Sequence, residues 1–124
     1  LGLEDTVTLT GFRTDTAKLL AASDLYLNSS SCNEAMSFAI LEALGVGLPV
    51  VATAVGGNSD LVHLGGTCGV ILNHGDVEGY AGAIARLLED PDLRARYSTA
   101  AYAKATCEFD LHRLLDAVYQ TYQA

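Results

Sequence analysis

The sequence predicts an α/β fold, a Rossmann-like parallel sheet flanked by helices. Short apolar stretches alternate along the chain with segments of helical periodicity. Residues 49–52 read Pro-Val-Val-Ala, a continuous apolar run typical of a strand buried on both faces. Strands that alternate with helices form parallel sheets, because each crossover helix returns the chain to the same edge.

Each predicted strand is short, and polar residues or glycine bound it. The four predicted strands are residues 7–10, 24–28, 49–52 and 69–72. The three predicted helices between them are residues 15–22, 37–45 and 59–62. Gly45 and Gly47 end the second of these helices, and Ser37 is placed to cap its first amides.

The last third of the chain predicts three helices that pack as layers. Asp76 caps the first of them, and Asp90-Pro91 ends it and begins the second. Asp110 caps the third. The apolar positions of the first and third helices repeat every three or four residues: Val77, Tyr80, Ala81, Ile84, Leu87 and Leu88, then Leu111, Leu114, Leu115, Val118, Tyr119 and Tyr122.

The amino-acid composition limits the classes of protein to which this chain can belong. The 124 residues suit one domain, and a net charge of −8 with only seven scattered lysines and arginines argues against a nucleic-acid surface. No apolar run approaches the ~20 residues of a membrane span. Three widely spaced cysteines predict reduced thiols in a cytoplasmic protein, and no ligand cluster indicates a metal or cofactor. The N-terminus lacks a methionine and a signal sequence, so we expect a fragment.

Glu34 and Glu42 stand eight residues apart in the most informative stretch of the chain. Glu42 is the only ionisable group in the apolar segment 38–44, which we expect to form a helix buried on most sides. A carboxylate is rarely buried without a partner. Glu42 is therefore expected to face a cleft where a ligand completes its hydrogen bonding, unless it caps backbone groups or pairs with a lysine or arginine.

The polar loop after residues 24–28 lies at the carboxyl end of a predicted parallel strand. Open α/β sheets bind ligands at that edge. The first amides of the helix that follows the loop favour an anion there, most readily a phosphate. Two carboxylates beside free amides suit a ligand that carries both phosphate and vicinal hydroxyls.

The segment from Glu34 to Thr53, with Glu-x7-Glu and Gly-Leu-Pro-Val-Val-Ala-Thr, resembles the signature of family 4 (group 1) retaining glycosyltransferases. The likeness includes residues 9–15, Gly56-Gly57 and residues 89–94. Such enzymes have the two-domain GT-B fold, and this chain is similar to the C-terminal, donor-nucleotide-binding domain. The resemblance implies that the N-terminal acceptor domain and the start of this domain are absent, and that the fragment alone is inactive.

The resemblance also assigns roles to the two glutamates and the residues between them. It implies that Glu42 binds the ribose hydroxyls of the nucleotide. Glu34 would lie beside the transferred sugar, where it binds a hydroxyl or stabilises charge at the anomeric carbon; the alternative is a solvated loop carboxylate. The backbone amides of four residues would contact the diphosphate and sugar: Ala35, Met36, Ser37 and Phe38. Alanine replaces the family's more usual glycine at position 35, which alters the fit to the sugar.

Two further segments correspond to the family's site. The first, near the nucleobase in the family, contains Gly11, Phe12, Arg13 and Asp15; the alternative is an ordinary strand–helix turn. Gly56 and Gly57 either allow close approach of the sugar or the opposite domain, or simply form a turn. Family members supply an arginine and a lysine for the phosphates from a segment that precedes the first strand here.

The three histidines have no partners at catalytic or metal-ligand spacing and are interpreted as surface or loop residues: His63, His74 and His112.

The resemblance implies a glycosyltransferase of polysaccharide biosynthesis that moves a sugar, of hexosyl type, from a nucleotide diphosphate-sugar to a carbohydrate or lipid-linked acceptor. No cofactor or metal is expected. One alternative is a sugar-nucleotide 2-epimerase of the same fold, whose family lacks the Gly-Leu-Pro-Val-Val-Ala-Thr continuation in this register. The other alternative is a non-catalytic nucleotide-binding module.

Overall fold

A computed structural model describes residues 2–32 and 35–123 and contains a three-stranded parallel sheet. Its strands are β1 (Tyr26–Asn28), β2 (Val50–Thr53) and β3 (Gly69–Leu72), in the order β1-β2-β3. Tyr26 pairs with Val50, and Val50 pairs with Gly69. The helices are α1 (Thr16–Ala21), α2 (Phe38–Gly45), α3 (Asn58–His63), α4 (Val77–Glu89), α5 (Pro91–Glu108) and α6 (Leu111–Gln123). The predicted Rossmann-like α/β fold is confirmed.

The central strand β2 divides the core into two clusters. All four of its residues are buried, as its apolar run predicts. Val50 and Ala52 face α2 and α3, where they pack in a cluster with Ile40, Leu44 and Val62. Val51 points to the opposite face and packs with Leu87 of α4 and Leu93 of α5. The alternation follows from the two-residue period of a strand, so helices cover both faces of the sheet.

The predicted strand at residues 7–10 is wrong. These residues have no strand geometry, and Leu9 is 93% exposed. The chain before them forms a turn in which the amides of Thr6 and Val7 donate to the Leu3 carbonyl. The alternation of Val7 and Leu9 fits a strand, but a strand also needs a neighbouring edge to pair with. None of the described residues supplies that edge.

The expectation that α2 is buried on most sides is also wrong. Ile40, Ala43 and Leu44 are buried, whereas Phe38 is 77% exposed and Glu42 is exposed. One face of α2 packs against the sheet and α5, whereas α1 lies beside part of the other face and leaves Phe38 and Glu42 exposed. An apolar composition therefore did not distinguish a helix buried all round from a helix with one buried face.

The last three helices differ in how far they pack. Asp76 and Asp90 cap α4 and α5 as predicted, since their Oδ1 atoms accept from the amides of Gly79 and Leu93 at 2.9 and 2.8 Å. Asp110 accepts from two amides of α6. However, α6 has no buried residue, so the prediction that it forms a packing layer is wrong for the described part of the protein. Its apolar stripe has the correct period, but the described part of the chain buries none of its residues.

The buried Lys104 of α5 is a feature that the sequence pattern did not reveal. Its Nζ atom donates to the carbonyl of Leu61 in the last turn of α3 at 2.9 Å. The cation thus satisfies a carbonyl at the C-terminal end of a short helix, where the helix dipole favours positive charge.

The Cys68 thiol lies near Lys104 in the core. Burial raises the pKa of this thiol, and the charge of Lys104 lowers it by a smaller amount. Cys68 therefore stays a neutral core residue at neutral pH.

No helix within the described ranges has the length and apolar character needed to cross a membrane.

The cap of α5 gives a first testable prediction. Asp90→Ala removes the acceptor of the Leu93 amide, so the free energy of unfolding should fall by about 1 kcal/mol. Asp92→Ala is the matched control, because Asp92 lies in the same first turn but is not the cap. Urea denaturation of both variants measures the difference. An equal loss in the two variants would show that charge near the helix terminus, rather than the cap hydrogen bond, provides the stability.

Candidate functional site

The carboxyl ends of all three strands lie at one edge of the sheet, because the strands are parallel. The loop that leads from β1 to α2 and the glycine turn after β2 therefore meet at this edge. The backbone amide of Gly57 donates to the carbonyl of Ala35 at 3.1 Å. Two of the segments predicted for the site, residues 35–38 and 56–57, are thus in direct contact.

Gly57 has a steric reason to be glycine. A Cβ atom at this position would lie 2.6 Å from the oxygen of Ala35, well inside van der Waals contact. The group that approaches Gly57 is the chain's own loop, which the sequence did not predict; the approach of a sugar or an opposite domain stays a prediction.

The N-terminus of α2 opens at the same edge. Ser37 is fully buried, and its Oγ atom accepts from the amide of Ile40 at 3.4 Å, which confirms the predicted cap. The amides of Phe38 and Ala39 have no acceptor among the residues that the structure describes, as expected for the first turn of a helix. Their N–H groups and the helix dipole can bind an anion at this point.

Glu42 lies one turn further along α2. Its carboxylate makes no hydrogen bond or ion pair with any residue in the described ranges, so neither a capping role nor a pairing with lysine or arginine is observed there. Glu42 lines a cavity of about 310 Å³ between α1 and α2, together with Thr16, Ala17, Leu20, Gly45 and Val46. The acidic side chain thus faces a cleft with free acceptor atoms.

The predicted segment from Gly11 to Asp15 leads directly into this cavity. Gly11 has a left-handed φ of 63°, and Phe12 is 96% exposed. The guanidinium of Arg13 donates to both oxygens of Asp15, at 2.8 and 2.6 Å, and this contact lowers the pKa of the Asp15 carboxyl. Asp15 immediately precedes α1, whose first residues line the cavity of Glu42. Only the last residue of the segment, Asp15, thus adjoins the helix that lines the cavity of Glu42.

One predicted site residue lies outside the described residues. Glu34, with its neighbour Asn33, falls between residues 32 and 35. Its role beside the transferred sugar stays a prediction.

Three polar residues at this edge were missed from the sequence. Asn28 at the end of β1, Thr53 at the end of β2 and Tyr80 of α4 all hydrogen-bond to the start of the β1–α2 loop. Tyr80 fits the apolar stripe of α4, so the sequence predicts only a packing role for it. The polar residue that ends each of the two strands was the available signal, because strand ends at this edge approach the ligand site.

The first 90 residues match the family model described as "Glycosyl transferases group 1". Among curated proteins, the chain is 33% identical over 120 residues to the lipopolysaccharide core biosynthesis glycosyltransferase LpsE of Rhizobium meliloti (strain 1021). It is 32% identical over 121 residues to the N-acetyl-alpha-D-glucosaminyl L-malate synthase of Bacillus anthracis. These matches cover 97% and 98% of this chain but only 35% and 31% of the relatives.

Solved structures also match the chain over nearly its whole length. HepE from Anabaena in complex with UDP superimposes with a TM-score of 0.92 and is 34% identical, covering 98% of this chain and 33% of that protein. The complex of HepE with UDP-glucose has a TM-score of 0.89 at 34% identity, with coverage of 99% and 34%. The chain thus spans about a third of the length of the relatives it matches. The match across the predicted signature and the agreement in fold confirm the resemblance inferred from the sequence: the chain belongs to the group 1 glycosyltransferases.

Proposed function

We propose that this chain is the donor-nucleotide-binding part of a retaining glycosyltransferase, which transfers a sugar from a nucleotide diphosphate-sugar to a carbohydrate or lipid-linked acceptor. One observation carries the proposal: the free amides at the start of α2, which lie at the carboxyl edge of the sheet, and the unpaired carboxylate of Glu42 belong to the same helix, about one turn apart. Helix α2 therefore offers N–H donors for a diphosphate at its start and carboxylate acceptors for hydroxyls about one turn further on.

The diphosphate contacts come from the first turn of α2. The amides of Phe38 and Ala39 are free, and the chain leading to them, Ala35 to Ser37, is held against Gly57. A helix N-terminus stabilises an anion by roughly 0.3–1 kcal/mol at an exposed site. That is modest compensation for a diphosphate approaching a chain of net charge −8. Binding by these residues alone should therefore be weak, and cationic groups elsewhere in the whole protein would strengthen it.

Glu42 is proposed to bind the ribose. A carboxylate can accept two hydrogen bonds, one from each hydroxyl of a vicinal diol, and Glu42 has no competing partner within the described residues. The cavity of about 310 Å³ that it shares with α1 leaves room for part of a nucleoside. The segment from Gly11 to Asp15 would then contact the nucleobase.

The nucleobase is proposed to be uracil. HepE, which resembles this chain over nearly its whole length, has been crystallised with UDP and with UDP-glucose. The proposal for this chain rests on that similarity and on the Glu42 cavity together.

The sugar and its transfer are proposed from the family resemblance. Glu34 would lie beside the anomeric carbon and stabilise the positive charge that develops there, while the acceptor attacks the face that the leaving diphosphate vacates. The donor phosphate would take the acceptor proton, so no protein general base is needed. Acceptor binding belongs to the rest of the protein, and we expect the chain alone to bind the donor without transferring its sugar.

An NMR titration of the chain with UDP tests the binding site. Amide shifts should change at residues 35–39, around Glu42 and in the segment from Gly11 to Thr16. ADP and GDP serve as comparisons for the base, and should shift the α2 amides in the same direction but bind more weakly. Shifts confined to α5 and α6 would contradict the proposed site.

A further inference from the structure

Asn28 connects the end of β1 to both ends of the loop that leads to α2. Its backbone carbonyl accepts from the hydroxyl of Tyr80 at 2.6 Å. Its side-chain Oδ1 accepts from the amide of Ser30 at 3.2 Å, and its Nδ2 donates to Oγ of Ser37 at 3.5 Å. One residue thus contacts the first part of the loop, the cap of α2 and a helix on the other side of the sheet.

The contact with Ser37 transmits the position of Asn28 to the first turn of α2. The Oγ atom of Ser37 accepts from Asn28 and from the amide of Ile40. At 3.5 Å the contact between Asn28 and Ser37 is a weak hydrogen bond, so it orients the cap without contributing much energy. The cap direction sets where the free amides of Phe38 and Ala39 point, because those two residues directly follow Ser37.

Tyr80, which lies 52 residues after Asn28 in the sequence, holds the backbone of Asn28 through a hydrogen bond. Its ring packs with Val51 and Leu87 in one of the two core clusters, while its hydroxyl reaches the strand end. Burial raises the pKa of Tyr80, and the neighbouring Thr53 acts in the opposite direction by a smaller amount. The phenol is therefore protonated at neutral pH and is available as a donor.

Thr53 makes a second attachment to the same loop. Its Oγ1 atom donates to the carbonyl of Ser30 at 2.7 Å. The loop start is thus held from β2 by Thr53 and from α4 by Tyr80. These hydrogen bonds from Asn28, Thr53 and Tyr80 hold the residues at the start of the loop, from 28 to 30.

We propose that Tyr80 and Asn28 are positioning residues of the donor site: through the contacts of Asn28 with Ser30 and Ser37 they place the first amides of α2 for the diphosphate. Neither residue needs to touch the donor in this role. The inference rests on the proposed function, since it assigns the purpose of the arrangement to diphosphate binding.

Tyr80→Phe is the direct test, because it removes the hydroxyl and keeps the ring in the core. Tyr97→Phe is the matched control: Tyr97 packs in the same cluster, and its hydroxyl has no hydrogen-bond partner within the described ranges. Hydrogen exchange of the chain should become faster in Tyr80→Phe at the amides of Ser30, Ile40 and Gly57, but unchanged in β2. The Kd for UDP should rise about three- to tenfold, as expected from the loss of one hydrogen bond.

Asn28→Ala provides a second variant that leaves the tyrosine intact. Because it removes both side-chain contacts of Asn28, it should raise the exchange rate at the same three amides and weaken UDP binding at least as much as Tyr80→Phe. Thermal melting of all three variants separates these local effects from a general loss of stability, which would raise the exchange rate throughout the sheet as well.

The outcomes separate the inference from the proposed function. If the unsubstituted chain binds UDP and Tyr80→Phe matches Tyr97→Phe in both exchange and affinity, the positioning role is wrong while the donor site stands. If the exchange rate rises in Tyr80→Phe but the affinity is unchanged, the loop is ordered for another reason and the inference is again overturned. If the unsubstituted chain does not bind UDP at all, the proposed function fails and the inference fails with it.

Discussion

Glu42→Gln should weaken UDP binding by on the order of 1–3 kcal/mol, which corresponds to a Kd about 5- to 150-fold higher. Glutamine keeps the shape of the side chain but removes its charge and leaves only one accepting oxygen. If Glu42 holds both hydroxyls of the ribose, one of the two hydrogen bonds is lost and the other loses its charge assistance. Isothermal titration calorimetry of the chain with UDP measures the change.

Two further glutamate variants test whether the loss of UDP binding is specific to Glu42. Glu89→Gln removes the same charge from an exposed position at the end of α4, so it reports any general effect of the net charge on an anionic ligand. Glu34→Gln should leave UDP binding nearly intact, because UDP carries no sugar, and in the whole enzyme it should instead reduce turnover. Equal weakening of UDP binding by Glu34→Gln and Glu42→Gln would contradict the separate roles assigned to the two residues.

Features that depend on a few neighbouring residues could be predicted from the sequence. Ser37, Asp76 and Asp90 were identified as helix caps, since a cap needs only a short polar side chain two or three residues before the amide it accepts from. The buried strand β2 followed from its unbroken apolar run. The position of the candidate site at the carboxyl edge of the sheet is also predictable, because the strand–loop–helix order alone places the loop at the carboxyl end of a parallel strand.

The structure departs from the sequence prediction where an element needs a packing partner that its own pattern does not specify. Residues 7–10 have the alternation of a strand, and α6 has the spacing of an amphipathic helix. Periodicity shows which face of an element would be buried, but burial also requires another surface against that face. In the described chain the apolar residues of both segments stay largely exposed, so the periodicity is correct for both while the burial it predicts does not occur.

Contacts between distant residues at the site were not predictable in the same way. The hydroxyl of Tyr80 reaches Asn28 across the sheet, but its position in α4 fitted the packing stripe equally well. At Gly56 and Gly57 the sequence predicts close approach of the sugar or the opposite domain, or a simple turn, and does not indicate that a group of the chain's own loop also lies close. Only the three-dimensional arrangement identifies that group as the carbonyl of Ala35.

Gly57→Ala should therefore disturb both stability and donor binding. The backbone of Gly57 has a φ of −81°, which alanine adopts without strain, so the effect comes from the added methyl group alone. That methyl would lie 2.6 Å from the oxygen of Ala35, and the same oxygen accepts the Gly57 amide at 3.1 Å. The loop cannot withdraw from the methyl and keep this hydrogen bond. We expect the free energy of unfolding to fall by about 1–3 kcal/mol, as in other overpacked sites.

The effect on binding follows from where the loop must move. Ala35 lies two residues before the cap of α2, so a displaced Ala35 carbonyl shifts the approach to the free amides of Phe38 and Ala39. Gly82→Ala is the matched control: Gly82 lies inside α4, a Cβ atom there meets nothing within 4 Å, and alanine should stabilise the helix by up to about 1 kcal/mol. Urea denaturation and UDP titration of the two variants should diverge, with lower stability and weaker UDP binding only in Gly57→Ala. Unchanged UDP affinity in Gly57→Ala, together with a loss of stability, would show that the contact between Gly57 and Ala35 supports the fold and does not set the geometry of the donor site.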